Sequence, residues 1–238
     1  MELTFTGRGA AFNPKEGNTN AFFIENNILF LVDCGESMFA TLIEHNILSN
    51  IQEIYVLISH THSDHCGSLG SIGLYSQFVL GKTLKIVVPH NEAYIQSIKD
   101  LMNIFGNTTQ AYEIVYEEEI DHKFETFDTV RYDLTQHDFS LTCYSFIFET
   151  KQGAIFYSAD TRVIDNLVHF LEKYQQIDKI YMEVTNIQVV GDVHLYIEDL
   201  IAIMNEELKE KIYIMHLRND ECIQRVLLEG FKIVECIR

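Results

Sequence analysis

The chain has 238 residues, of which 47 % are apolar and 22 % charged, with two prolines and no tract of biased composition. That excludes a disordered or fibrous polymer and fits one folded domain spanning 1–238. Seventeen Lys+Arg against 35 Asp+Glu give a formal net charge of −18, so composition offers no basic face for capturing long nucleic acid by counterion release.

No run approaches the roughly 18 apolar residues needed to span a bilayer. Met1-Glu2-Leu3-Thr4-Phe5 does not read as a secretory signal, and a soluble, cytoplasmic protein without membrane contact is expected. The cysteines Cys34, Cys66, Cys143, Cys222 and Cys236 are odd in number and never spaced C-x-x-C. They argue against a disulfide framework and read as core thiols, Cys66 included although it follows His65.

In chain order, residues 2–6 and 21–32 have strand character, and Gly7-Arg8-Gly9-Ala10-Ala11-Phe12-Asn13-Pro14 between them reads as a tight loop beside a site. Phe12 stands where a G-x-G-x-x-G fingerprint would need its third glycine, so that dinucleotide motif is absent. Asp33-Cys34-Gly35-Glu36 ends a strand and opens a helix, and Asp33 there suits a capping or supporting role.

The next run, Ile54 to Ser59, is apolar and β-branched and ends in His60-Thr61-His62-Ser63-Asp64-His65. A buried strand that delivers three imidazoles and a carboxylate in six residues reads as a metal site, because these are the nitrogen and oxygen donors that zinc accepts. A solvated His-rich loop is the alternative.

Helical spacing follows to Leu80, then a strand over Leu84–Val88 and a helix over about Glu92 to Phe105. Strands at 111–117 and 129–136 flank Glu117-Glu118-Glu119, which reads as a solvated edge. A hairpin joins 141–149 to 154–158 around Lys151-Gln152-Gly153. A helix at 164–175, a strand ending at Glu183, a helix through Leu195, Leu200, Ile201 and Met204, and a strand ending at His216 come next. A helix at 220–229 and a strand at 231–236 close the chain. Strand-rich and helix-interleaved halves predict two sheets packed face to face with helices outside. Six of these strands end in a polar residue able to converge with the others: Asp33, His60, His137, Asp160, Glu183 and His216.

His60-x-His62-x-Asp64-His65 followed in order by His137, Asp160 and His216, with Asp33 in the first motif, resembles the metallo-β-lactamase superfamily over nearly the whole chain. The resemblance implies an α/β four-layer αββα sandwich with two metal ions at one edge. Zinc is expected, with manganese or iron as alternatives. One ion would bind His60, His62 and His137, the other Asp64, His65 and His216, and Asp160 would bridge them; Asp64 would also orient the attacking oxygen.

Gly7–Phe12, Asn18-Thr19-Asn20, Ser158–Arg162 and Glu183-Val184-Thr185 with His194 look most like the ribonuclease Z and phosphodiesterase branch. That likeness implies that Glu183 and His194 assist the departing oxygen. Arg162 and Arg218 are candidate phosphate contacts, with surface ion pairing as the alternative.

Ala159 stands where the family usually has Gly, Leu217-Arg218-Asn219-Asp220 lacks the Ser/Arg arrangement of ribonuclease Z, and there is no long Gly- and Lys-rich arm for transfer RNA. The expected activity is therefore hydrolysis of a small or cyclic nucleotide-like phosphodiester, with a homodimer as one oligomeric option. Alternatives are a lactone or ester hydrolase, a ribonuclease Z-like RNA endonuclease, a di-iron redox protein, which usually has Glu where this chain has His62, and a non-catalytic metal-binding module.

Overall fold

The computed structural model describes residues 1–188 and 191–237. Its first sheet comprises β1 (Thr4–Gly7), β2 (Asn20–Glu25), β3 (Ile28–Val32), β4 (Glu53–Leu57), β5 (Leu84–Val88) and β6 (Tyr112–Tyr116), neighbours in that order. β1, β2 and β3 are antiparallel, and β3 to β6 run parallel through helical crossovers. The expected strand region 21–32 is a hairpin instead, because Asn26 and Asn27 both take left-handed φ, 49° and 64°, as a two-residue type I′ turn requires.

The second sheet has the reverse order, β12 (Lys232–Ile233), β11 (Ile212–Met215), β10 (Ile177–Glu183), β9 (Gly153–Tyr157), β8 (Cys143–Thr150) and β7 (Thr129–Thr135). β9 to β12 are parallel, and β8 is antiparallel to both β7 and β9. The carboxyl ends of β7, β9, β10 and β11 therefore share one edge.

Period-two alternation explains the layers. Along β9, β10 and β11, Ile155, Tyr157, Tyr181 and Met215 join the core between the sheets. Ala154, Phe156, Ile180, Met182, Ile212 and Ile214 face a second core. That second core is covered by α5 (Asp165–Lys173), α6 (Ile197–Ile203) and α8 (Asp220–Leu228) through Leu167, Phe170, Leu200, Cys222 and Val226. On the first sheet, α1 (Met38–Glu44), α3 (Leu69–Tyr75) and α4 (Glu92–Ile104) contribute Met38, Leu69, Ile72, Ile95 and Ile98 to the larger core. Aromatic rings fill the space between the sheets. Phe23 and Phe30 stack at 4.6 Å, and Phe127 meets both edge-on, the offset and edge geometries that ring quadrupoles favour.

Several expected boundaries move. The helix predicted to Leu80 is α3 followed by a π-turn at Ser76–Leu80. The 195–204 helix starts only at Ile197, with Leu195 packed beneath it, and the 231–236 strand shortens to two residues. The expected solvated edge at Glu117–Glu119 holds only in part. Glu118 and Glu119 are exposed, whereas Glu117 is buried and accepts the backbone N–H of Tyr132 at 2.8 Å. Tyr132 lies on the edge strand β7, whose N–H groups need partners away from the sheet. Burial pushes the Glu117 carboxyl up to about 7, against the lowering effect of that hydrogen bond.

Candidate metal centre

The shared strand edge collects the predicted donors. From the first sheet, β4 continues through Ile58 and Ser59 to His60; His62 precedes a single helical turn, α2 (Ser63–Cys66), which carries Asp64 and His65. From the second sheet, His137 follows β7, Asp160 follows β9, Glu183 ends β10 and His216 follows β11. Asp33 follows β3 and supports the cluster through Ser59 and His65 rather than joining it.

 Three of the turns leaving these strands use a left-handed non-glycine residue, Asp33, Ala159 and His216, at φ 60°, 49° and 56°.

Seven donor residues form two sets that share Asp160. His60 Nε2 lies 2.9 Å from His62 Nδ1, which lies 3.2 Å from His137 Nε2, and His137 Nε2 is 3.6 Å from Asp160 Oδ2. In the second set, Asp64 Oδ2 lies 3.4 Å from His65 Nε2 and 3.3 Å from His216 Nε2, while Asp160 Oδ1 is 3.2 Å and 3.3 Å from those same nitrogens. A tetrahedral ion with donors at 2.0–2.1 Å has donor-to-donor edges of about 3.4 Å, and both sets cluster around that value.

The outer partners of the imidazoles make the same point. Asp33 accepts from the Ser59 N–H at 2.7 Å and from its hydroxyl at 2.9 Å, so Ser59 Oγ accepts from His60 Nδ1 at 3.0 Å. His65 Nδ1 faces Asp33 Oδ2 at 2.8 Å, His137 Nδ1 donates to the Val193 carbonyl at 2.7 Å, and His216 Nδ1 faces Glu183 Oε2 at 3.3 Å. Each of these four rings thus has its proton held on Nδ1 and its Nε2 lone pair turned into the cluster, the orientation that prepares imidazole for a metal. His65 Nε2 and Asp160 Oδ1 are buried there without a hydrogen-bond partner among the described residues. The donor set fits divalent ions.

Electrostatics agrees. Burial, then the charge of His65, holds His60 well below the ordinary imidazole value, and burial with His137 lowers His62. Burial also opposes charge on His65 and His216, but Asp160, Asp33 and Asp64 raise the first, and Asp160, Asp64 and Glu183 raise the second to about 10. Asp64, Asp160 and Glu183 stay below the usual carboxylate range despite their burial, because imidazoles face them. Four buried carboxylates concentrated in one place draw positive charge.

Beside the cluster, His194 Nδ1 meets Glu183 Oε2 at 2.8 Å and lies 3.9 Å from Asp160 Oδ2. Glu183 Oε1 accepts from the Thr161 N–H, so its carboxylate is fixed on three sides. Burial is outweighed at His194 by the Glu183 charge, which raises its pKa. His137, Asp160, Glu183 and His194 also present donors within 4.8 Å of one another, so this pair stands at the margin of the donor sets.

His62, Asp64, His137, Asp160, His194 and His216 line a cleft of about 320 Å³. It adjoins a chamber of about 490 Å³ whose walls include Ala10, Phe12, Thr185, Arg218 and Asn219. Arg218 is exposed at that chamber. Arg162 is elsewhere: its Nη2 donates to Gln136 Oε1 at 2.9 Å, its guanidinium covers the Phe139 ring at 4.1 Å, and it lines a separate cleft behind His137. Arg162 therefore faces the loop that carries His137 and is not among the residues that line the metal cleft.

Several residues matter here through tertiary contacts that their local sequence does not show. Gly35 packs so closely on α2 that a Cβ would sit 1.9 Å from the Asp64 carbonyl oxygen. Asn20 Oδ1 accepts the Gly35 N–H at 2.6 Å, and Thr19 Oγ1 accepts the His216 N–H at 3.0 Å. The Asn18-Thr19-Asn20 segment is legible in the sequence through the family likeness, but its bonds to residues 35 and 216 are tertiary.

A family model described as Anti-Pycsar protein Apyc1 matches residues 1–231. An Anti-Pycsar protein Apyc1 of Bacillus phage 010DV004 is 26 % identical over 239 residues, which cover 91 % of this chain and 88 % of the relative. Among solved structures, the metallo-β-lactamase fold protein YhfI from Bacillus subtilis superposes with a TM-score of 0.73 at 18 % identity, covering 98 % of this chain and 95 % of that one. The short form of human tRNase Z gives 0.66 at 18 % identity, covering 100 % and 98 %. The fold is the metallo-β-lactamase sandwich that the motifs implied.

Proposed function

The chain belongs to the Anti-Pycsar protein Apyc1 family, and we propose that it is a phosphodiesterase that hydrolyses a cyclic nucleotide with two divalent ions, zinc in the first instance. The observation that carries this reading is the pair of donor sets divided between the two oxygens of Asp160, with the His194–Glu183 pair beside them. His60, His62 and His137 would hold one ion, Asp64, His65 and His216 the other, with Asp160 between. Bound there, the ions supply Lewis acidity to a phosphoryl oxygen and lower the pKa of a water.

The chain's own groups do the rest. Asp64, fixed by His65 and His216, accepts a hydrogen bond from the attacking water and sets its direction. His194, oriented through Nδ1 by Glu183, donates a proton from its other ring nitrogen to the departing sugar oxygen, a step typically worth about 10²–10⁴-fold. Arg218, exposed at the chamber wall, would meet a phosphate oxygen or a sugar hydroxyl. A compact substrate with a single negative charge suits a cleft of about 320 Å³ and a chain of net charge −18, which repels a long polyanion. The family description fits a small nucleotide substrate, and no helix among the described residues is long and apolar enough to cross a membrane.

Protein purified without chelator should carry about two metal equivalents per chain and open a cyclic mononucleotide to the linear monophosphate. Metal-loaded protein that spares cyclic nucleotides but opens lactones would transfer the assignment to ester hydrolysis. His194→Ala should lower turnover about 10²–10⁴-fold with metal content unchanged; loss of an ion instead would make His194 a ligand.

A further inference from the structure

Phe12 is 97 % exposed, although a phenyl ring gains more from burial than almost any other side chain. The loop that carries it is not loose. The Ala10 N–H donates to the Leu217 carbonyl at 3.1 Å, the Leu217 N–H donates to the Arg8 carbonyl at 2.7 Å, and Asn13 Nδ2 reaches the same Leu217 carbonyl at 2.8 Å. Phe12 is thus held at a turn clamped to the residue after His216. It lines both the metal cleft and the adjoining chamber, which also share Ala11, Val193, His194 and His216.

A cyclic nucleotide whose phosphate lies in the cleft has to place its base on one side of the shared wall. The chamber of about 490 Å³ lies within the range of small-ligand pockets. We propose that this chamber is the nucleoside subsite and that Phe12 is its stacking surface, a specificity-determining residue that recognises the π-face of the base. The inference rests on the phosphodiesterase reading and adds to it the part of the substrate that is read. Stacking on an aromatic side chain is tolerant of base identity, so Phe12 should distinguish nucleotides from base-free sugar phosphates rather than one base from another.

The test compares metal-loaded wild type, Phe12→Ala and Phe12→Tyr on a cyclic 3′,5′-mononucleotide and on the same cyclic ribose phosphate without its base. Calorimetry measures affinity for the nucleoside monophosphate and for ribose 5-phosphate. The wild type should favour the nucleotide by about 5- to 100-fold in KM and in affinity. Phe12→Ala should lose most of that preference, and Phe12→Tyr should recover it. A preference that survives in Phe12→Ala overturns the inference, as does a change of oligomeric state in that variant by light scattering, which would make Phe12 an interface residue. If the wild type hydrolyses neither compound, the phosphodiesterase reading falls and this inference falls with it. If it hydrolyses both equally, only the inference falls.

Discussion

The two halves of the sandwich supply the same centre in opposite ways. The first sheet concentrates His60, His62, Asp64 and His65 in one turn, braced from behind by Asp33 and by the close packing of Gly35 on α2. The second sheet sends His137, Asp160 and His216 from three separate strand ends, with His137 braced by the Val193 carbonyl and His216 by Glu183. A concentrated donor set shares its supports, so one defect behind the turn reaches every member. A dispersed set fails one donor at a time, because rigid strands hold the others in place.

Gly35→Ala should make this contrast largest. Its Cβ cannot coexist with the Asp64 carbonyl, so the turn has to move, at a cost of about 3 kcal/mol in denaturant unfolding and with loss of both metal equivalents. Retention of two ions would show that the first half tolerates local defects as well as the second. Asp33→Asn acts behind His65 only, and should weaken metal affinity by about 10- to 100-fold in a chelator competition while the fold persists.

Glu117→Gln probes the second half away from the centre. The folded carboxyl sits at about 7 against an ordinary value of 4.5, so between those values the unfolded chain releases its proton first, and the wild type loses stability as pH rises through that window. The Gln variant should lack this slope. Allowing for partial solvent screening, it should be more stable at pH 8 by about 1 kcal/mol in urea titrations. The smallest effect is expected at the Asp160 turn, where Ala159→Gly relieves a left-handed alanine and should stabilise by up to about 1 kcal/mol. A destabilised variant would mean that the turn is held by more than backbone preference.

The same contrast governs what could be read from the chain. His60–His65 was legible as a metal motif because its donors are neighbours in sequence, and period-two alternation marked the strands that carry the rest. His137, Asp160 and His216 became a set only through their ordered likeness to a family, since nothing local links residues so far apart. The direction of Arg162 was not legible, because an arginine two positions after Asp160 can face the cleft or the loop behind it, and here it stacks on Phe139 in that loop. Glu117 hid in an acidic run, where only the unpaired Tyr132 N–H of an edge strand distinguishes it from its exposed neighbours. Gly35 carries a backbone-to-backbone approach that no side-chain pattern records.

The hydrogen bond from the His216 N–H to Thr19 Oγ1 joins positions 197 apart. Contacts of such separation form late, after shorter loops have closed. The His60–His65 turn precedes its last donor in the chain by about 150 positions, so an ion held by that turn alone would meet an incomplete shell. The full donor set thus exists only once the carboxyl-terminal strands have folded back onto the amino-terminal loop.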